Sequence, residues 1–202
     1  MKISIRGPIV SSNQHRFYQW YGMEATSPKS VADALASGNG ERAEVEINSG
    51  GGEIFAASEI STALRNYEGG VHIRIVGLAA SAASIIAMAG ESEMTPTGMM
   101  MIHNVQTEAS GDYRQMEHTA GTLRDANHAI ISAYVTKTGR PEEEIAAMMD
   151  AETWVTADRA VELGLVDRVM QPDTGQKPLA ADFYSGMRSE DALQRAENFL
   201  KN

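Results

Sequence analysis

The feature that most constrains this chain is an alternation of strand and helix patterns in which the strands run straight into small residues or a histidine. Glu44-Val45-Glu46-Ile47 alternates as a half-buried strand does and passes into Asn48-Ser49-Gly50-Gly51-Gly52. Ile54, Ala57, Ile60, Ser61 and Leu64 then recur at helical spacing. Residues 71–76 read as the next strand, broken by Gly77, and the small residues from Ala79 to Ala83 open another helix. Glu93-Met94 and Met99 to Ile102 read as two short strands around the turn at Pro96-Thr97-Gly98, and the second ends on His103. Strands alternating with helices imply an α/β fold with parallel pairings and right-handed crossovers, in which sites gather where strands end.

The remaining segments fit the same plan. Residues 2–6 alternate as a strand, whereas residues 7–26, with Phe17, Tyr18, Trp20 and Tyr21, show no clear period. Ser27-Pro28 opens a helix that Gly38-Asn39-Gly40 ends. Residues 112–138 form the longest helical pattern, with Met116, Ala120, Leu123, Asn127, Ile130 and Tyr134 on one face. A helix over 141–149, a strand over 153–155 and a helix over 157–163 capped by Thr156 follow, and Leu165-Val166-Asp167 closes the pattern. The 202 residues are enough for one α/β domain, placed at 1–170. Residues 171–202 read as an extension: a loose connector to about 188, then a short amphipathic helix over 189–200.

Composition excludes several classes. A net charge of -10 argues against nucleic acid as a partner, because phosphate binding needs lysine and arginine concentrated on one face. With no cysteine there is no disulfide framework, thiol nucleophile or cysteine metal site. No histidine pair has the spacing of a zinc helix, so no metal is expected. The first six residues lack the apolar core of a signal peptide, and the apolar stretch from Ile73 to Gly90 is too interrupted to span a membrane. A cytoplasmic protein is expected.

Three strand ends carry residues able to do chemistry. Ser81 follows a buried strand and starts an alanine-rich helix, where free N–H groups would stabilise a developing oxyanion. Read alone, it serves equally well as a helix cap, and Ser84, one turn on, reads as packing. Gly50 to Gly52 free the backbone to aim N–H groups at a ligand, or simply make a turn. The lysine and hydroxyl of a phosphate loop are missing after them, and Glu53 would repel phosphate. His103 at a strand terminus can point into a cleft with a pKa suited to proton transfer, or be a structural histidine. An acid to orient it must come from Asp150, Glu152 or Asp167, among which sequence order does not choose.

Taken together these motifs resemble the Clp protease proteolytic subunit. The matching pieces are Ile47-Asn48-Ser49-Gly50-Gly51-Gly52, Gly77-Leu78-Ala79-Ala80-Ser81-Ala82, Met101-Ile102-His103 and Ala160-Val161-Glu162-Leu163-Gly164-Leu165-Val166-Asp167, in the family's order across residues 40–170. The resemblance implies the superhelix of repeated β-β-α units shared with crotonases, with a protruding handle of strand plus long helix at about 104–138. It implies a serine endopeptidase that cleaves extended polypeptides without a cofactor, with Ser81 as nucleophile and His103 as base. The Gly52 and Ala82 N–H groups fall in the oxyanion hole, and Gly50, Gly51 and Ile54 fall along the substrate strand. Counting without a gap from His103, the family's aspartate falls on Glu152, a departure, with Asp150 as second choice. The resemblance also implies a homo-oligomer of seven-membered rings.

Two further departures bear on partners. The N-terminal segment that contacts an unfolding ATPase is expected to be shortened or missing, so such a partner is not expected; the part beyond residue 170 is longer than usual. Compact, divergent members of this kind resemble the Clp-like proteases of phages and prophages, which implies head maturation as a role. The rival readings are a crotonase-type acyl-CoA enzyme and an assembly scaffold with a decayed site.

Overall fold

A computed structural model describes residues 1–171. Strand β1 (Lys2–Arg6) is followed by helices α1 (Ser12–Trp20) and α2 (Pro28–Ser37), then β2 (Ala43–Ser49), α3 (Ile54–Arg65), β3 (Val71–Ala80) and α4 (Ala82–Ala87). Strands β4 (Glu91–Met94) and β5 (Met99–Ile102) precede the long helix α5 (Tyr113–Thr138). Helix α6 (Glu142–Asp150), β6 (Thr153–Thr156), α7 (Ala157–Glu162) and β7 (Arg168–Val169) complete the domain. The fold is mixed α/β, as expected. The seven strands form one sheet in the order β1-β2-β3-β4-β7, with β5 joining β3 and β6 joining β5, and only the β5–β6 pair is antiparallel. No helix among the described residues is long and apolar enough to cross a membrane.

The strand sequences alternate because the two faces of the sheet differ. Register puts Ile5, Ile47, Ile75 and Met94 in one row and Ile3, Val45 and Ile73 in another, all buried in the core, where α4 packs on β2 and β3 and α2 on β1. Burying each such side chain contributes roughly 1.5–3 kcal/mol. The opposite rows are charged: Lys2, Glu44, His72 and Glu91 in one, Glu46, Arg74, Glu93 and Arg168 in the next. In the second row the signs alternate across the sheet, and Lys2 lies 2.9 Å from Glu46 and Arg74 2.8 Å from Glu93. A parallel sheet is usually covered on both faces; here ion pairing satisfies the face that the described helices leave open.

Several local expectations need correction. Gly77 does not end the strand over 71–76. β3 runs on to Ala80, because it leaves β4 after Ile75 and pairs with β5 from Leu78. Gly77 is needed there for another reason: a Cβ would stand 2.5 Å from the Asn48 amide oxygen. The segment over 7–26, which shows no period, contains α1, with Ser11 and Gln14 forming a capping box. Ile9 lies in a short parallel bridge between Thr26 and Gly52. Thr156 starts α7 without making a side-chain cap. No strand forms over 103–112, so only the helical part of the expected handle is present among the described residues. On α5 the apolar face is buried only at Ile131 and Tyr134, while Met116 remains exposed. The connector beyond Gln171 and the helix over 189–200 lie outside the described residues.

Candidate active site

The sheet itself brings Ser81 and His103 together. β3 and β5 run parallel with Leu78, Ala79 and Ala80 opposite Met99, Met100 and Met101, so both chains leave the sheet at the same level. The Ser81 N–H donates to the Met101 carbonyl at 2.9 Å, tying the two exits. Ser81 Oγ then lies 2.7 Å from His103 Nε2. With the hydroxyl donating to Nε2, the proton of the neutral imidazole sits on Nδ1. That atom is buried and meets no acceptor among the described residues.

Ser81 has φ 54° and ψ -128°. Such a backbone costs a non-glycine residue about 1–3 kcal/mol and persists only where surrounding contacts impose it. The role of a helix cap is not filled, because the Ser81 side chain makes no cap hydrogen bond to α4. Two of the three non-glycine residues at positive φ among the described residues are Ser81 and Glu152 (φ 48°); the third, Asn39, closes the turn after α2.

The glycine turn is packed directly against this serine. A Cβ on Gly51 would stand 2.7 Å from the Ala80 carbonyl oxygen, 2.8 Å from Ser81 Cβ and 3.0 Å from the Ala82 nitrogen. On its other side, Gly51 O accepts from Ile9 N at 2.9 Å and Glu53 N donates to Ile9 O at 2.8 Å. Backbone groups of successive residues in an extended segment point to opposite sides. The Gly52 N–H therefore faces away from Ile9, and neither it nor the Ala82 N–H takes part in the hydrogen bonds that hold the turn. Neither N–H has a hydrogen-bond partner among the described residues, and Gly52 borders the same cleft as Ser81.

A cleft of about 580 Å³ opens over this group, with Gly52, Ile54, Ser81 and His103 in its wall and α5 forming the far side. Leu123, Ala126 and Ile130 make that side apolar. Of the residues expected along a substrate, Ile54 borders the cleft, whereas Gly50 and Gly51 do not; Gly52, expected in the oxyanion hole, borders it as well. Gly51 is buried beneath the serine turn. No group of three or more His, Asp or Glu side chains converges as metal ligands would, among the described residues.

The acids stand differently. β5 and β6 pair antiparallel with Met101 opposite Trp154 and Ile102 opposite Thr153, so one further step of the same register sets Glu152 opposite His103. Residues opposite each other in a ladder have Cβ atoms about 4.5–5.5 Å apart. The ladder stops one step short, at Ile102 and Thr153, and Glu152 is exposed with a left-handed backbone. Asp150 accepts from the Asn104 amide at 2.7 Å. Asp167 is elsewhere, held by Ser92 and Lys137.

Four residues that shape the site carry no functional role in the sequence reading: Asn104 goes unremarked, Ser84 reads as packing, and Asn127 and Tyr134 read as members of a helix face. Asn104 holds Asp150, and Asn127 Oδ1 accepts from Val105 N at 2.7 Å, tying the segment after His103 to α5. Ser84 and Tyr134 lie beneath the serine turn, 2.7 Å apart. The available signal was a polar residue, Asn127, on an otherwise apolar helix face.

A family model described as Clp protease matches residues 33–173. The "ATP-dependent Clp protease proteolytic subunit 1" of Chlamydia caviae is 28% identical over 159 residues, covering 73% of this chain and 83% of the relative. The protein of the same description from Chlamydia abortus matches with the same identity and coverage. The matched span takes in the glycine turn, the serine turn, the histidine strand and the Leu163-Gly164-Leu165 segment together, and this chain belongs to the Clp protease family of serine peptidases.

Proposed function

We propose that the chain cleaves extended polypeptides through an acyl-enzyme on Ser81, with His103 as general base and Glu152 as the acid that orients it. The observation that carries this reading is the 2.7 Å contact between Ser81 Oγ and His103 Nε2 at a strained turn beneath an open cleft. Ser81 Oγ attacks the scissile carbonyl carbon as its proton passes to Nε2. The carbonyl oxygen takes the negative charge between the Gly52 and Ala82 N–H groups. The C–N bond then breaks, and His103 returns its proton to the leaving amine. Water, deprotonated by His103, attacks the ester and restores the Ser81 hydroxyl. The free edge at Gly52 suits a backbone laid alongside it, which recognises extended chains with little regard to side chain.

The same reading includes a self-enclosed homo-oligomer, a ring of seven or a stack of such rings. It is supported by the part of α5 near Met116, which the described residues leave uncovered. A role in phage head maturation in the cytoplasm completes it. A second reading, an assembly scaffold with a weak site, is favoured by one observation: His103 Nδ1 has no partner among the described residues.

A fluorophosphonate probe separates these. It should modify Ser81 in the intact protein and lose that target in Ser81→Ala, while a fluorogenic peptide is cleaved only by the unmodified protein. Assembled protein that takes no label and cleaves no peptide favours the scaffold, and acyl-CoA binding without labelling favours a crotonase-type enzyme.

A further inference from the structure

The Ser81 carbonyl is held by two donors of one residue: the Ser84 N–H at 2.9 Å and the Ser84 hydroxyl at 2.6 Å. A carbonyl only accepts, so the single Ser84 hydroxyl proton is committed to it. Ser84 Oγ also lies 2.7 Å from Tyr134 Oη, and with its own proton used it can only accept there. The bonds therefore have one direction, from the Tyr134 O–H to Ser84 Oγ and from the Ser84 O–H to the Ser81 carbonyl. Both side chains are sealed from water, Ser84 at 0% and Tyr134 at 1% exposure. Burial pushes the Tyr134 phenol up to about 12. The donor thus stays protonated throughout the range in which a histidine base works.

The peptide plane gives this chain its consequence. The Ser81 C=O and the Ala82 N–H are opposite ends of one rigid planar unit. Fixing the carbonyl fixes the direction of the N–H. Local backbone preference does not hold the plane, because Ser81 lies outside the ordinary regions at φ 54°. The contacts that hold it are those to Ser84.

We infer that Ser84 and Tyr134 are positioning residues that aim the Ala82 N–H at the oxyanion, coupling helix α5 to the nucleophile turn. This rests on the reading of Ser81 as nucleophile and Ala82 as oxyanion donor. Ser84 acts on the donor through the carbonyl, and Tyr134 acts through Ser84. Substrate binding along Gly52 and Ile54 does not involve either hydroxyl.

The test compares a peptide boronate, which forms a tetrahedral anion on Ser81, with the matching product peptide, which does not. Tyr134→Phe keeps the ring and removes only the donor. It should lower kcat and boronate affinity by roughly tenfold each, as one neutral hydrogen bond predicts, while KM and product-peptide affinity stay within about twofold. Ser84→Ala should lose at least as much, and the double variant should be no worse than Ser84→Ala, because Tyr134 acts only through it. If Ser84→Ala does not fold, Ser84→Cys paired with Tyr134→Phe gives the same comparison. Unchanged kcat and boronate affinity in a folded Tyr134→Phe, with only a lower Tm, would overturn the inference, as would fully multiplying effects. An unaltered protein that takes neither fluorophosphonate nor boronate overturns the nucleophile reading, and this inference with it.

Discussion

Asn104 donates its side-chain amide to the Asp150 carboxylate at 2.7 Å, one residue beyond an imidazole whose Nδ1 meets no acceptor among the described residues. The two facts oppose each other. Leaving a buried donor unpaired costs about 1–3 kcal/mol, yet the carboxylate of Asp150 is already engaged next door. The site is assembled at its nucleophile and unfinished at its acid. Whatever brings a carboxylate to Nδ1 gains that free energy and fixes the tautomer that accepts the serine proton.

In the mechanism proposed above the acid is Glu152, which one further step of the β5–β6 register would set opposite His103, whereas Asp150 reaches Asn104. Glu152→Gln is therefore expected to lower kcat by about 10²–10⁴, the range for a histidine deprived of its orienting carboxylate. Asp150→Asn keeps a hydrogen-bond partner for Asn104 and should cost less than about tenfold. Steady-state cleavage of a fluorogenic peptide by both variants decides this, and the reverse order of losses would assign the acid to Asp150.

Much of the fold was legible because its signals are local. Glu44-Val45-Glu46-Ile47 alternates since one face of β2 meets the core and the other a ladder of charges. Ser27-Pro28 marks a helix start that it does cap and open. Residues 7–26 were not legible, because α1 buries no side chain and so has no apolar stripe to show. The end of β3 was misjudged because Gly77 reads as a break, whereas the sheet uses it to let Asn48 approach. Ser81 and His103 stand out as residues at strand ends, but their meeting depends on the β3–β5 register, a long-range fact. The hydroxyls of Ser84 and Tyr134 gave no sign at all, since a serine and a tyrosine at packed positions look like packing until their partners are known.

Gly51 is the position where shape alone should decide activity. Its φ of 100° disfavours any side chain, and a Cβ would press on Ala80, Ser81 and Ala82 at once. None of these contacts is the flexible end of a side chain, so the serine turn itself must move. Gly51→Ala should reduce fluorophosphonate labelling of Ser81 by at least about 10²-fold, as expected when reacting groups shift by an ångström. Retained helical circular dichroism would show that the domain is still folded. Labelling at the unaltered rate would mean that the glycine turn does not set the nucleophile.

Asp167 ties the end of the domain to β4 and to α5, and its ionisation should appear in the stability. Burial alone would raise its carboxyl, but the Lys137 ammonium and the Ser92 N–H outweigh burial and hold it below its ordinary value. A carboxylate whose folded pKa is depressed contributes stability above its unfolded pKa, near 3.9, and loses it as pH falls through the folded value. Asp167→Asn is thus expected to cost roughly 1–2 kcal/mol at neutral pH, discounted for partial exposure. The gap between variant and parent should hold down to about pH 4 and close below it. Urea unfolding at several pH values measures this, and a gap that widened in acid would reverse the assignment.

Asn127 supplies the last of these relationships. The His103-bearing strand ends at Ile102, and the chain beyond it has no ladder to follow; its first tether to the long helix is the Val105 N–H donating to Asn127 Oδ1 at 2.7 Å. Val105 also borders the cleft, so the bond fixes one wall of the substrate channel. Removing it leaves a partly buried N–H that water can partly serve, a loss of roughly 1 kcal/mol locally. Asn127→Ala should therefore raise KM and lower kcat together, each by about three- to tenfold. Asn127→Asp, which keeps an acceptor at the same reach, should restore most of both. The unaltered Ser81 hydroxyl would still react with a small fluorophosphonate in Asn127→Ala, since that probe needs no wall. If peptide cleavage and small-probe labelling fell in parallel, the tether would be acting on the nucleophile and not on the channel.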